Sequence, residues 1–107
     1  MLIIIFGFLF LSQTSISAEK NLQKCREFSS IGLHLPAIEQ CQKAMRDGVN
    51  REEELELLYY LANSYSSINK NMLAKEAITK LLNTSPSISA NDYYLAGLIE
   101  IKLNINY

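Results

Sequence analysis

Apolar side chains recur three and four positions apart along five segments of this chain, all of them beyond residue 18. Such spacing places the apolar residues on one face of an α-helix, and no segment alternates apolar and polar residues over the length of a strand. The pattern therefore predicts an all-α protein. Its five helices are expected at about residues 19–31, 36–47, 51–68, 72–82 and 90–103.

Polar and glycine residues mark several of the predicted helix ends. Asn50 followed by Glu53, and Ser89 followed by Asp92, have the spacing of reciprocal N-terminal caps. Gly48 can take the positive φ that ends a helix, so the second helix is expected to stop there.

The N-terminal segment has a different character. Residues 2–11 carry no charge and no strongly polar group, small and polar residues follow, and the first charged side chain is Glu19. This order is typical of a signal peptide, which we predict over residues 1–18. We therefore expect an exported protein, periplasmic or secreted, with residues 19–107 as its mature domain. The alternative is that the segment is not cleaved and anchors the chain in a membrane.

Net charge argues against some classes of partner. The 107 residues carry a formal charge of −1, and all charged side chains lie beyond residue 18. Nucleic-acid binding requires a basic surface that displaces counterions, so we expect no nucleic-acid partner. No basic amphipathic segment is found either, so no membrane contact is expected once the leader is removed.

A four-residue motif repeats in the second half of the chain. Tyr59-Tyr60-Leu61-Ala62 recurs as residues 93–96, an offset of 34 residues. A fixed period of this size is typical of stacked helix pairs, because one helix pair cannot bury its apolar face without a neighbour.

The repeat resembles that of the tetratricopeptide repeat (TPR) proteins. The resemblance implies a right-handed helical solenoid of about two and a half helix pairs, with units at about residues 19–50, 51–88 and 89–107. The third unit is incomplete, so a truncated remnant of a longer TPR protein is an alternative. The matching positions share small or apolar side chains and the proline after the second helix: Cys25, Phe28, Ala37, Cys41, Ala44, Ala62, Tyr65, Ala74, Ile78, Leu81, Pro86, Ala96 and Ile99.

The TPR resemblance also implies a function. Members of the family bind extended or helical peptides in a concave groove lined by the first helix of each pair, so we expect a non-catalytic adaptor with a protein or peptide partner. The alternative is that the tyrosines of this groove only close the packing of a short solenoid. The groove residues expected here are Arg26, Tyr59, Asn63, Ser66, Tyr93 and Glu100.

The fifth predicted helix is apolar on more than one face. Residues 93–103 read YYLAGLIEIKL, so part of this surface has to face outward if the helix packs on a single neighbour. We therefore expect self-association through Leu98 and Ile101. A small structural subunit that oligomerises and has no peptide ligand is the corresponding alternative function.

Cys25 and Cys41 are the only two cysteines, and they lie sixteen positions apart on the two helices of the first pair. An even cysteine count in an exported protein favours a disulfide. In a reducing compartment the same residues would be two small buried side chains.

Catalytic chemistry has little support in the sequence. His34 is the single histidine, and we expect it to be a solvent-facing loop residue. No glycine-rich phosphate loop or nucleophile elbow is found, and the cysteines and His34 lack the spacing of a structural zinc site. We therefore expect no enzyme, no cofactor and no metal.

Overall fold

The computed structural model describes residues 14–105, which form five α-helices and no strand. This confirms the all-α prediction and the number of helices. The helices are α1 (Ile16–Ser30), α2 (His34–Asp47), α3 (Arg51–Ser67), α4 (Asn71–Thr84) and α5 (Ala90–Ile105).

Helix α1 begins at Ile16, three residues earlier than predicted. Ser15 is its N-cap, since the Ser15 hydroxyl accepts a hydrogen bond from the Ala18 N–H at 3.1 Å. Ala18 is completely buried, so this first turn is packed against the rest of the protein. Residues 1–13 of the predicted leader lie outside the described residues. Its last residues, 14–18, contain the cap and first turn of α1.

Both predicted caps are present. The Asn50 side chain accepts from the Glu53 N–H at 2.9 Å, and the Glu53 carboxylate accepts from the Asn50 N–H at 3.3 Å. Ser89 and Asp92 make the same reciprocal pair, at 3.0 and 3.2 Å. Each pair satisfies N–H groups that the first turn of a helix leaves without a partner, which fixes where α3 and α5 begin.

The two complete helix pairs share the same turn. Gly32 in the first turn has φ 77°, and Asn69 in the second has φ 63°. In the first turn the Leu33 N–H donates to the Phe28 carbonyl at 2.9 Å; in the second, the Lys70 N–H donates to the Tyr65 carbonyl at 2.8 Å. Glycine and asparagine are the residues that most readily take positive φ, so the sequence supplies the required residue in both turns.

Each helix packs on its neighbours in sequence, and both α1 and α5 also contact α3. Buried apolar side chains from all five helices form one continuous core. Long-range contacts show that α1, α3 and α5 run parallel. Thr14, before α1, hydrogen-bonds to Glu53 at the start of α3, and Lys102 near the end of α5 donates to the Ser66 carbonyl near the end of α3 at 2.7 Å.

Helices α1 and α2 are joined covalently. Cys25 and Cys41 form a disulfide, as predicted, with their Cα atoms 5.0 Å apart. Both residues are completely buried. A disulfide in the core fits folding in an oxidising compartment.

Helix α5 turns part of its apolar surface outward, as its sequence predicted. Leu95 and Ile99 are buried and Leu98 is half-buried, whereas Ile101 is 56% exposed. Among residues 14–105 no helix combines the length and apolar character needed to cross a bilayer.

Candidate functional site

An open cleft of about 490 Å³ lies where α3, α4 and α5 meet. One wall is the first half of α3, the other is the end of α4 with residues 85–89, and the start of α5 closes one side. Its lining combines apolar and aromatic side chains with three carboxylates: Glu52, Leu55, Glu56, Tyr59, Tyr60, Leu81, Ser85, Pro86, Ser87, Ser89, Asn91 and Asp92.

Two tyrosines supply the aromatic surface of the cleft. The rings of Tyr59 and Tyr60 pack edge to face, with centroids 6.2 Å apart and planes at 74°. Both side chains are half-buried. A rigid, partly exposed aromatic pair offers large contact area at a low cost in conformational entropy, and tyrosine is enriched at binding hot spots for this reason.

An ion pair fixes one of the cleft carboxylates. The guanidinium of Arg26 on α1 binds Glu56 with two hydrogen bonds, Nε to Oε2 at 2.6 Å and Nη2 to Oε1 at 2.7 Å. The Tyr60 hydroxyl donates to the same Oε2 at 3.0 Å. The bidentate geometry orients Glu56, and through it Tyr60, so helix α1 helps to shape a cleft that it does not line.

These contacts change the acidity of all three side chains. The hydrogen bonds from Arg26 lower the pKa of Glu56, against a smaller opposing effect of burial. The same hydrogen bonding raises the pKa of Arg26. Burial is the main cause that raises the pKa of Tyr60, and its hydrogen bond to Glu56 adds to the effect. At neutral pH the network is therefore a charged pair plus a neutral phenol that donates to it.

The remaining carboxylates give the cleft a negative character. The Asp92 carboxylate caps α5, as described above. Within residues 14–105 no hydrogen bond or ion pair engages Glu52, which is exposed. An aromatic wall flanked by carboxylates is suited to a lysine or arginine side chain, because both aromatic faces and carboxylates attract cations.

The structure separates the residues that the resemblance assigned to one groove. Tyr59 lies in the wall of the cleft. Arg26 does not line the cleft, but it binds and orients Glu56, which does. Asn63 and Tyr93 do not line the cleft, and Glu100 pairs with Lys75 of α4 at 3.1 Å.

Ser66 was expected to line the groove, but the structure buries it. It is only 2% exposed and its hydroxyl has no hydrogen-bond partner, so it offers no surface to a ligand. The stripe containing Tyr59, Asn63 and Ser66 follows the helical period, but α3 is covered by α5 at its C-terminal end, where Lys102 reaches the Ser66 carbonyl.

Four charged or aromatic residues of the cleft were missed by the sequence analysis: Glu52, Glu56, Tyr60 and Asp92. Tyr60 belongs to the repeated motif, which could have drawn attention to it. Glu56 precedes Tyr60 by four residues, a spacing that allows contact on a helix. No local sequence pattern indicates that Glu56 pairs with Arg26, which is thirty residues away.

The prediction for His34 was wrong. His34 is the first residue of α2 rather than a loop residue, and it is half-buried. Its Nδ1 lies 3.2 Å from the Ser64 hydroxyl. Ser64 is completely buried, so no substrate can reach this hydroxyl and the pair serves packing between α2 and α3. Within residues 14–105 no three histidine, cysteine or carboxylate side chains come together as a metal site.

Comparison with known proteins gives no further assignment: no family model, no curated protein and no solved structure matches this chain.

Proposed function

We propose that the five helices form a TPR-like solenoid of about two and a half helix pairs. Two features support this arrangement. The two complete pairs use the same turn, with equivalent hydrogen bonds from Leu33 and Lys70, thirty-seven positions apart. Helix α3 also contacts the first helix of the pair on either side, α1 and α5, as stacking of pairs requires.

We propose export as the setting of this protein, with residues 1–18 as a cleavable leader. The buried Cys25–Cys41 disulfide supports an oxidising compartment. Cleavage after residue 18 would remove the Ser15 cap, so α1 of the mature protein would begin with Glu19, an acidic residue that is favourable in a first turn.

The function that the geometry supports best is non-catalytic binding of a protein segment in the cleft, with no cofactor. The observation that carries this proposal is the aromatic wall of Tyr59 and Tyr60, held beside three carboxylates. The cleft is open and extends along α3, so it suits an extended or helical segment rather than an enclosed small molecule. Glu52 and Asp92, which make no ion pair within residues 14–105, favour a segment that carries lysine or arginine.

A random peptide library displayed on phage tests this proposal. We expect selection against the purified protein to enrich peptides that contain lysine or arginine next to an apolar residue. Tyr59→Ala should weaken binding of a selected peptide by about thirtyfold, the size of a hot-spot truncation of about 2 kcal/mol. Isothermal titration calorimetry measures the affinity.

Tyr94→Ala is the matched control, because Tyr94 belongs to the same motif but is 74% exposed and does not line the cleft. It should leave the affinity unchanged. Peptides that bind wild type and Tyr59→Ala equally well, with both proteins equally helical by circular dichroism, would show that the cleft is not the binding site.

A second candidate is a structural subunit that self-associates through α5. The exposed apolar side chain of Ile101 on α5 favours it. The oligomeric state of the protein distinguishes this candidate from a monomeric adaptor.

A further inference from the structure

The bond at which the proposed leader is cut lies inside the folded domain. A leader of residues 1–18 is removed at the Ala18–Glu19 peptide bond. Both residues belong to α1, which begins at Ile16, and Ala18 is completely buried. Proteases usually cut exposed, irregular segments, because these fit an active site without further unfolding. This bond is instead part of a packed helix.

Hydrogen bonds close the helix around this bond. The Ser15 hydroxyl accepts from the Ala18 N–H at 3.1 Å. The Glu19 N–H, which belongs to the bond that is cut, donates to the Ser15 carbonyl at 2.9 Å. The bond is therefore held in the first turn of α1 and cannot be extended without breaking both interactions.

Contacts to two other helices hold this turn in place. The Ser15 hydroxyl also donates to the Asp47 carbonyl at the end of α2, at 3.3 Å. The Thr14 hydroxyl donates to the Glu53 carboxylate and accepts from the Asn50 N–H at 3.3 Å, both at the start of α3. The partners lie more than thirty positions apart in the sequence, so these contacts form only when the three helices have packed.

The helix also separates the two side chains that a leader peptidase reads. Such a peptidase recognises the first and third residues before the cut, here Ala18 and Ile16. In an extended chain two residues at this spacing point to the same side, whereas in a helix they do not. Accordingly Ile16 is 80% exposed and Ala18 is completely buried. The folded chain therefore does not present the pair that recognition requires.

We propose that the folded domain protects its own cleavage site, so that the leader has to be removed before α1 folds. The inference rests on the leader proposed above. In the reaction, water adds across the Ala18–Glu19 peptide bond and leaves a carboxyl group on Ala18 and an amine on Glu19, with a leader peptidase as the catalyst. The peptidase can bind this bond only while the surrounding residues are extended.

Two forms of the protein follow from this protection. A chain that is cut first is released and folds from Glu19 onward. A chain that folds first keeps the apolar run of residues 2–11 and remains attached to the membrane. The ratio of the two forms is set by the rates of cutting and folding. The cut form lacks the Ser15 cap and the buried Ala18, so it should melt lower than the uncut form, by about 5 °C or more.

Purified leader peptidase tests the proposal on the full-length protein in a mild detergent. Folded, oxidised protein is compared with the same protein unfolded in urea and then diluted into detergent that already contains the peptidase. We expect the refolding protein to be cut after residue 18 faster than the folded protein, by about tenfold or more, because the folded chain has to open locally first. Mass spectrometry of the products identifies the bond.

Ser15→Ala weakens the protection without changing either recognised residue. It should be cut about fivefold faster than wild type when folded, as expected for the loss of a helix cap, and at the wild-type rate when refolding. Ser30→Ala is the matched control, since the exposed Ser30 hydroxyl donates to the Glu27 carbonyl at 2.8 Å in the last turn of the same helix. This variant should be cut like wild type in both samples.

Each other outcome contradicts a different statement. Equal cutting of folded and refolding protein after residue 18 would overturn the protection and leave the leader proposal intact. The same holds if folded Ser15→Ala is cut no faster than wild type. If neither sample is cut, the leader proposal is wrong and this inference falls with it. A cut before Thr14 in both samples would show that residues 14–18 stay in the mature domain.

Discussion

At the scale of the residue, the network of Arg26, Glu56 and Tyr60 makes a prediction about pH. The pKa of Glu56 is lowered in the folded protein, chiefly by the hydrogen bonds from Arg26. The folded state therefore binds this proton less readily than the unfolded state. The network stabilises the fold fully at neutral pH, and this contribution is lost as pH falls below the ordinary Glu value of 4.5 and through the lower folded value.

Glu56→Gln should remove this part of the pH dependence. Because the two side chains are 40% and 30% exposed, solvent screens the pair, and we expect a loss of only about 1 kcal/mol or less at neutral pH. Urea denaturation at several pH values measures it. Glu39→Gln, which breaks the exposed pair with Lys43, is the control and should keep the wild-type pH profile. A Glu56→Gln variant with an unchanged acid dependence would contradict the prediction.

The Cys25–Cys41 pair was predicted correctly from a local signal, because two helices of one hairpin bring the residues face to face. Tyr59 was selected because its motif repeats, and its role in binding stays a prediction. Ser66 and His34 were misplaced because their burial depends on another helix. Ser66 is covered at the end of α3 by α5, and His34 packs against Ser64 of α3.

At the scale of the element, the disulfide between α1 and α2 makes the second prediction. The double variant Cys25→Ala, Cys41→Ala should lose about 3 kcal/mol of stability, the value that the chain-entropy model gives for a loop of this length. The melting temperature should fall by roughly 10 °C or more, as expected for a domain of this size. Thermal unfolding followed by circular dichroism measures the change.

Wild-type protein provides the control for the disulfide. Both cysteines are completely buried, so a mild reductant should not reach the bridge under native conditions, and freshly isolated protein should contain no reactive thiol. Two thiols that react without denaturant, or a double variant as stable as wild type, would contradict a structural disulfide.

The number of helices and most of their positions could be predicted from the sequence. Apolar periodicity and the caps at Asn50 and Ser89 predicted their number, and the starts of α3 and α5 were correct. The start of α1 was missed, because the sequence pattern of a leader and that of a helix cap overlap at residues 14–18. Ser15 is consistent with either, and only the burial of Ala18 shows that the helix extends this far.

At the scale of the whole molecule, negative charge is concentrated near the cleft. The start of α3, the end of α4 and the start of α5 build this cleft. Residues 45–56, which lead into α3 and form its first part, carry five carboxylates and two arginines. This excess of negative charge should draw a cationic segment towards the cleft.

The last prediction concerns the outer surface of α5, which no further helix covers within residues 14–105. Ile101 is 56% exposed there and Leu98 is half-buried beside it, so a second copy can gain apolar contact by packing on this helix. We expect the protein to self-associate at micromolar concentration. Ile101→Glu should raise the dissociation constant of this self-association by about tenfold or more, because the new charge would have to be buried in the contact. Sedimentation velocity over a concentration series measures the equilibrium.

Leu35→Glu is the control, since Leu35 is equally exposed but belongs to the first helix pair, and it should leave self-association through α5 intact. A wild-type protein that stays monomeric throughout the series would show that α5 closes the stack without a partner, and the structural-subunit candidate would then be excluded in favour of a monomeric adaptor.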